Sequence, residues 1–482
     1  MSAVILANSM TKSPGRDEQM YCTAGVLVSS GQLPYRDFSY PSQLPYHPLI
    51  LAAIYRSSGT QYYLLAGRIF SVVCDLLVMT LIVYGYYKLN GGQGLIPGLL
   101  LATCYLLHPI VAYANGHAWN HDLVQAAVMA AYALSFDLGG RVLKDGLKGV
   151  AMGVVLGLAC LSRVTTVLAV PLFLGDLAIR KVSYANRSAA LIGLVAGLAL
   201  VSIWPVWVIL QAPRAFWLNL VQIPRLYGRW LTELGMTHDK LVLTVQSILL
   251  PENLVLLAGG LATAVALGRA CLRPWLPLGL VAVFCIVAFI PPTMWVQYWA
   301  IPVPFALLWL ARPVHLLWYR VSKRWVCRTV LWSLLGLLLL GNRRTLQQLA
   351  GLVRPDQWVP IALHNRYRRL CTDLGPQDRI LTLGPLWALE AGCQAYQELS
   401  CGSIVYRIAD QLGPEQRQLA RVVGPDSLAQ MVQTMPPAAV LIGVEDQRFA
   451  FLESPLLAAV GKDWIRRQTE GNAVLWMRPP GP

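Results

Sequence analysis

Charge is scarce in this chain. Only 13% of its 482 residues are Asp, Glu, Lys or Arg, against 56% hydrophobic residues, a balance that excludes an ordinary soluble domain and points to a polytopic membrane protein. Acids are scarcer still, 24 against 39 Lys and Arg, for a formal net charge of +15. No basic run is interleaved with aromatics, so the excess reads as the Lys and Arg of cytoplasmic loops, and nucleic acid is not an expected partner. The ten cysteines show no CxxC or Cys/His spacing, which argues against a structural zinc site. Cys74, Cys104, Cys160 and Cys285 lie in apolar runs and read as small buried hydrophobes. Cys393 and Cys401, in a polar segment, are the pair left for a disulfide. No cleavable signal peptide is expected, because the apolar part of "MSAVILANSM" is short even for a signal core and far too short to span. It reads as the tail of a helix that begins upstream. A glycine-rich phosphate loop and an internal repeat are also lacking.

Long apolar runs, by contrast, are plentiful. Runs able to cross a bilayer, or nearly so, fall at 62–87, 94–113, 121–138, 188–210, 244–267, 274–291, 296–312 and 326–341. The stretch 147–180 is apolar too, but "LSRVTT" interrupts it. Arg163 midway along one long helix would cost about 2.5–3.5 kcal/mol. Two shorter helices, 147–162 and 165–180, meeting at Arg163 near a membrane face avoid that cost. The basic loops agree with the split. With it, "GGRVLKDGLK", "RKVSYANRS", "GRACLRP" and "RPVHLLWYRVSKRWVCR" all face the cytoplasm; without it, the later loops invert.

About ten spans follow, eleven with the helix that begins upstream, and the first loop, Arg163 and the C-terminus then lie outside. Beyond 341, charge, Pro and Gly rise. There "RILTLGP", "AAVLIGVED" and "AVLWMRP" read as short strands and "EQRQLARVV" as a helix. The expected fold is therefore an all-α polytopic membrane domain over 1–341, with an outer loop at 10–61, followed by a small α/β domain over 342–482 outside the cytoplasm. The expected location is a bacterial inner (plasma) membrane.

The first loop holds the chemistry. Asp17 follows a Pro-Gly turn and can cap a helix, along which Met20, Tyr21, Ala24, Leu27 and Val28 recur on one face until Gly31 ends it. Such a helix would lie on the bilayer surface. "QLPYRDFSYPSQLPYHP" follows as an extended segment, and "PLILAAIYRSSG" as a second short helix. A further acid, Asp122, stands with His121 at the start of the helix opened by "NHDL", on the same outer face. Capping is the bland role for either acid. Two carboxylates and the Arg163 cation meeting at a lipid–water boundary would suit transfer from a phospholipid-linked donor.

On these residues the chain resembles the GT-C glycosyltransferases, in particular the dolichyl-phosphate-mannose protein mannosyltransferase-like group (family 39 type), and it is also similar to the lipid A aminoarabinose transferases. The likeness rests on "GRDEQMYCTAGVLVSSGQLPYRDF", "NHDL", "LGLACLSRVT" and "QYWAIPVPFALL", and covers about 1–340. It implies an inverting transfer of sugar from a polyprenyl-phosphate donor to a glycan, lipid or protein acceptor.

Asp17 would be the general base. Glu18 would orient the site or contact Arg163, and Asp122 with His121 would position acceptor or sugar. Arg163, and after it Arg36, would meet the leaving phosphate. Asp37 would bind sugar or fix the "PYRDF" turn, and Gln297 and Tyr298 would touch donor or headgroup. The loop "FWLNLVQIPRLYGRW" would cover the site or rest on lipid. No cofactor is implied; Asp17, Asp122 and His121 could hold a divalent metal, but a lipid monophosphate donor does not demand one. The rival class is a secondary transporter, for which Asp75, Asp137 and Asp176 are the acids inside or at the ends of spans. A third reading is an inactive homologue shortened at its N-terminus.

Overall fold

Proline and a buried arginine break two of the apolar runs, while the helix Tyr184–Gln211 stays continuous through Pro205. The structure is a computed structural model that describes residues 1–237, 239–254, 256–258, 275–320, 347–461 and 463–478, with isolated positions between 325 and 340. Three short helices, α1 (Ser2–Thr11), α2 (Arg16–Ser29) and α3 (Tyr46–Ser58), lead into the long α4 (Tyr63–Leu89). The run expected at 94–113 is split into α5 (Leu95–Leu106) and α6 (Pro109–Ala114). Pro109 is the cause: it favours extended backbone at His108, which has ψ 124°, and then starts a new helix.

The "NHDL" segment opens α7 (His121–Leu134) as expected, and α8 (Val142–Cys160) follows. At Arg163 the backbone is extended (φ −142°, ψ 106°), and beyond it lie a 3-10 turn, Val164–Ala169, and α9 (Val170–Ile179). The apolar stretch is thus split where the cost of burying Arg163 predicts. α10 (Tyr184–Gln211), α11 (Pro213–Trp217), α12 (Ile223–Glu233) and α13 (Lys240–Ile248) follow, then the helix Trp275–Phe289. Among the described residues three segments, Tyr63–Leu89, Tyr184–Gln211 and Val296–Leu316, are long and apolar enough to cross a membrane unaided. Of the expected span at 244–267, α13 covers the start while 259–267 lie outside the described residues, as do most of 326–341 and the expected boundary at 341/342.

The tightest helix pair is α8 on α10, where glycines replace side chains at the crossing. A Cβ on Gly153 would lie 2.1 Å from the Leu194 carbonyl oxygen, and one on Gly197 would lie 2.2 Å from that of Val150. Backbone therefore packs directly on backbone, the way helices associate where lipid removes any hydrophobic drive.

The C-terminal region forms a five-stranded sheet in the order β2-β1-β3-β5-β4, from β1 (Arg379–Leu381), β2 (Gln394–Ala395), β3 (Ala439–Ile442), β4 (Ile465–Glu470) and β5 (Ala473–Met477). β1 pairs in parallel with β2 and β3, while β5 runs antiparallel to β3 and β4. The three apolar strands are those the sequence suggests. β4, "IRRQTE", is a polar edge strand without the alternation that would reveal it. This domain is packed onto the helices: Cys22, Val26, Leu51 and Leu64 share one apolar cluster with Ile380 and Trp387.

Two expectations change. α2 does not present one face to a bilayer surface; it is buried from Met20 to Leu27, between α3 and the segment Pro385–Glu390. The gain from covering all its faces exceeds that of laying one stripe on lipid. Cys393 and Cys401 are free thiols in different apolar clusters, and the Cys401 Sγ donates instead to the Ser39 carbonyl oxygen at 2.9 Å.

Replacing Gly153 by Leu forces α8 and α10 apart and is expected to cost about 1–3 kcal/mol, seen as a lower Tm in detergent. Gly140→Ala, where a Cβ meets nothing within 4 Å, leaves Tm unchanged.

Candidate active site

The site is organised by the first turn of α2. Gly15, not Asp17, is the N-cap residue, because the Glu18 carboxylate reaches back to accept the Gly15 N–H at 2.6 Å. Asp17 is then the second helical residue and Glu18 the third, both acids favoured by the helix dipole. Neighbours on a helix diverge by about 100°, so the two carboxylates face different surroundings.

Glu18 turns into the helical bundle. Its carboxylate accepts two hydrogen bonds from Arg68, from Nε and Nη2, both at 2.9 Å, and a third from the Ala118 N–H at 2.6 Å. His117 Nδ1 lies 3.2 Å away. Arg68 also donates through Nη1 to the Ser9 and Lys12 carbonyls and through Nη2 to that of Ser13, so all five of its N–H groups are used. Burial works against the Glu18 carboxylate, yet the Arg68 guanidinium and His117 hold it well below the ordinary range. The expected contact between Glu18 and Arg163 is thus replaced by one with Arg68. Arg68 is absent from the sequence-derived set, although a lone arginine inside "YLLAGRIFSVVCDLL" was the signal for it.

Asp17 faces a separate cavity of about 290 Å³. It is half-buried and makes no hydrogen bond or ion pair among the described residues. Burial pushes its carboxyl above the usual carboxylate range, against the opposing charges of Arg16 and Arg407. His121, Arg163, Gln297 and Tyr298 line the same cavity, together with Tyr21.

Arg163 is only 8% exposed. Its Nη1 donates to His121 Nδ1 at 2.9 Å, and its guanidinium lies 4.4 Å from the Tyr298 ring centroid. No carboxylate pairs with it among the described residues. The Gln297 Oε1 is buried and without a hydrogen-bond partner. Leu220, Ile223, Pro224 and Tyr227 wall one side, so the "FWLNLVQIPRLYGRW" loop covers the cavity.

The remaining candidates lie elsewhere. Asp122, one residue and about 100° past His121, is fully buried away from the cavity, and its Oδ2 accepts the Gly116 N–H at 3.0 Å. Arg36 and Asp37 pair with each other at 2.7 Å, and the Asp37 Oδ2 accepts the Leu33 N–H at 2.8 Å. They fix the "PYRDF" turn, in which Tyr35 has φ 69°. Among the described residues no three His, Cys, Asp or Glu side chains are grouped to hold a metal ion.

A helical bundle with an acidic first turn over a cavity and a small α/β domain packed onto it has the architecture of a GT-C fold. The chain is similar over almost its whole length to ArnT from Cupriavidus metallidurans, both bound to undecaprenyl phosphate (TM-score 0.60) and in the apo state (TM-score 0.62). In each case the identity is 13%, with 99% of this chain and 97% of that chain covered. It is also similar to the Archaeoglobus fulgidus oligosaccharyltransferase in the apo form, at a TM-score of 0.48 and 10% identity, covering 92% of this chain and 69% of that one. No protein-family model matches, and no curated protein sequence does.

Arg68→Met leaves the Glu18 charge buried without its partner and is expected to cost about 3–5 kcal/mol, measured by unfolding in detergent. The double change Arg68→Met with Glu18→Met recovers part of that loss, and full stability in the single variant would contradict the pairing.

Proposed function

We propose that this chain is an inverting glycosyltransferase that moves a sugar from a polyprenyl-phosphate donor to an acceptor hydroxyl at the outer face of a bacterial plasma membrane. One observation carries the reading. A single carboxylate, Asp17, lines the cavity among the described residues, opposite a buried Arg163 that no acid neutralises. The undecaprenyl phosphate bound by ArnT supports a lipid phosphate as the donor's leaving group.

The acceptor oxygen attacks the anomeric carbon from the face opposite the phosphate. A new C–O bond forms while the bond to the phosphate oxygen breaks, and its electron pair leaves with the phosphate. Asp17 takes the acceptor proton, a role suited to a carboxylate that burial has made more basic. Arg163 donates to the phosphate oxygens as their charge builds, held in place by His121 and by the ring of Tyr298. The free Gln297 Oε1 accepts a hydroxyl of the transferred sugar.

Glu18 acts through α2 by fixing Asp17, and Asp122 through Gly116 by fixing the loop before α7; neither touches substrate. Arg36 and Asp37 are left with the turn. The departing charge is that of a lipid monophosphate, which Arg163 can meet, so the reaction needs no divalent metal. A chelator is expected to leave activity unchanged, and restoration of a chelator-abolished activity by manganese would contradict this.

Asp17→Asn is expected to lower kcat/KM for release of polyprenyl phosphate by about 10²–10⁴-fold, with binding of the lipid phosphate retained. Arg163→Met weakens that binding as well. Because a raised carboxyl pKa keeps Asp17 protonated to a higher pH, the acid limb of the wild-type kcat/KM profile should lie above the ordinary carboxylate value of about 4. Transfer at the wild-type rate by Asp17→Asn, or uptake of free solute into vesicles without label leaving the lipid, would overturn the proposal.

A further inference from the structure

A second, larger cavity of about 590 Å³ lies on the other side of the α2 first turn. Arg16 and Gln19, one turn apart, line it, whereas Asp17, Met20 and Tyr21 line the first. Its opposite wall belongs to the C-terminal domain: Leu383 and Gly384, which follow β1, and Gly443, Val444 and Glu445, which follow β3.

That position has a physical meaning. In the order β2-β1-β3 the chain leaves β1 for one side to make β2 and crosses to the other to make β3, all three parallel. The connections diverge between β1 and β3. A crevice therefore opens beyond their carboxyl ends, the place where open α/β sheets take ligands. Glycine lets the loop after β3 pack on the β4–β5 turn at its edge: Gly443 has φ +76°, and a Cβ there would fall 1.8 Å from the Asn472 carbonyl oxygen.

The lining selects a class of ligand. Arg366 makes no ion pair among the described residues, and with Asn472 it borders the cavity. The Glu445 Oε2 lies 3.6 Å from the Arg16 Nε and 3.9 Å from the Arg407 Nη2, yet it is buried and has no hydrogen bond. Trp387 and Tyr367, stacked with centroids 4.9 Å apart, supply apolar rings. Guanidinium, amide and carboxylate groups beside aromatic faces match hydroxyls and C–H faces of a sugar. A peptide would instead seek a strand edge to extend, and the crevice is at strand ends.

We infer that this crevice is a saccharide-binding site, and, resting on the transferase reading, that it seats the acceptor's sugar head group beside Asp17. The acceptor class is then a glycan or glycolipid, with its hydroxyl reaching over the first turn of α2 and the donor kept in the smaller cavity.

Saturation-transfer NMR tests this on the full chain in lipid nanodiscs, using a panel of neutral, uronic-acid and phosphorylated di- and trisaccharides. At least one sugar is expected to bind the wild type and Arg163→Met equally. Arg366→Ala, and Asn472→Trp, which fills the crevice from an exposed turn, should each weaken that binding about tenfold, the loss of one charge-assisted hydrogen bond or of its room. Binding that persists in both variants overturns the site. A wild type that ignores every sugar, or takes up tetrapeptides instead, overturns the saccharide class. Binding is read without turnover, so the two ideas fail separately: donor consumption indifferent to Asp17→Asn, with sugar binding still dependent on Arg366 and Asn472, removes the reaction and leaves the crevice.

Discussion

The buried contact between Glu18 and Arg68 is the constraint on which the rest of the site depends. A pair of this kind, wholly withdrawn from water, stabilises little on balance, because desolvation consumes most of the Coulombic gain. What it does is fix geometry. Arg68 on α4 takes the last carbonyls of α1 and the loop after it, while Glu18 takes the first N–H of α2 and the N–H of Ala118. Four separate pieces of chain are therefore locked to one planar fork. A slip of one residue in α2 would put Asp17 where Glu18 stands and leave the cavity without an acid.

Arg163 shows the opposite arrangement, and the contrast explains why one arginine is structural and the other available. Arg68 is saturated by a carboxylate and three carbonyls. Arg163 is almost as buried, but its neighbours are a neutral imidazole nitrogen and an aromatic ring. Burying a cation costs several kcal/mol, and a cation–π contact returns about 2 kcal/mol at best. The shortfall is a standing preference for an anion in the adjoining space. Asp17 does not supply it directly, which leaves that carboxylate free for a proton.

Much of this was legible in the sequence, for physical reasons that also mark where legibility ends. The split at Arg163 follows from the cost of a charge in lipid, and the end of α2 from Gly31, whose φ is +88°. The acids at the start of α2 and α7 are visible because dipoles favour them there. Direction around a helix is not visible in adjacent residues: His121 meets the cavity and Asp122 does not, just as Asp17 does and Glu18 does not. Which member of such a pair turns inward is set by its partners, Arg68 fifty residues on for Glu18 and the Gly116 N–H in the preceding loop for Asp122. The same holds for Cys401, whose thiol finds Ser39 rather than Cys393, and for α2, whose apparent one-sided stripe is covered both by the nearby α3 and by the segment Pro385–Glu390, more than 300 residues away in sequence.

The C-terminal domain is part of this machinery rather than an appendage. Glu390 accepts the Leu64 N–H at 2.8 Å, satisfying one of the open donors at the start of α4, and it also pairs with the buried His364. The His364 ring stacks on Tyr62 at 3.8 Å between centroids. The domain thereby holds the helix that carries Arg68, and through Arg68 the first turn of α2. From the same rigid sheet it presents the loops after β1 and β3 to the other side of that turn. The sheet is thus tied to α4, and the two cavities lie on opposite sides of the first turn of α2, with Asp17 facing one and Arg16 the other.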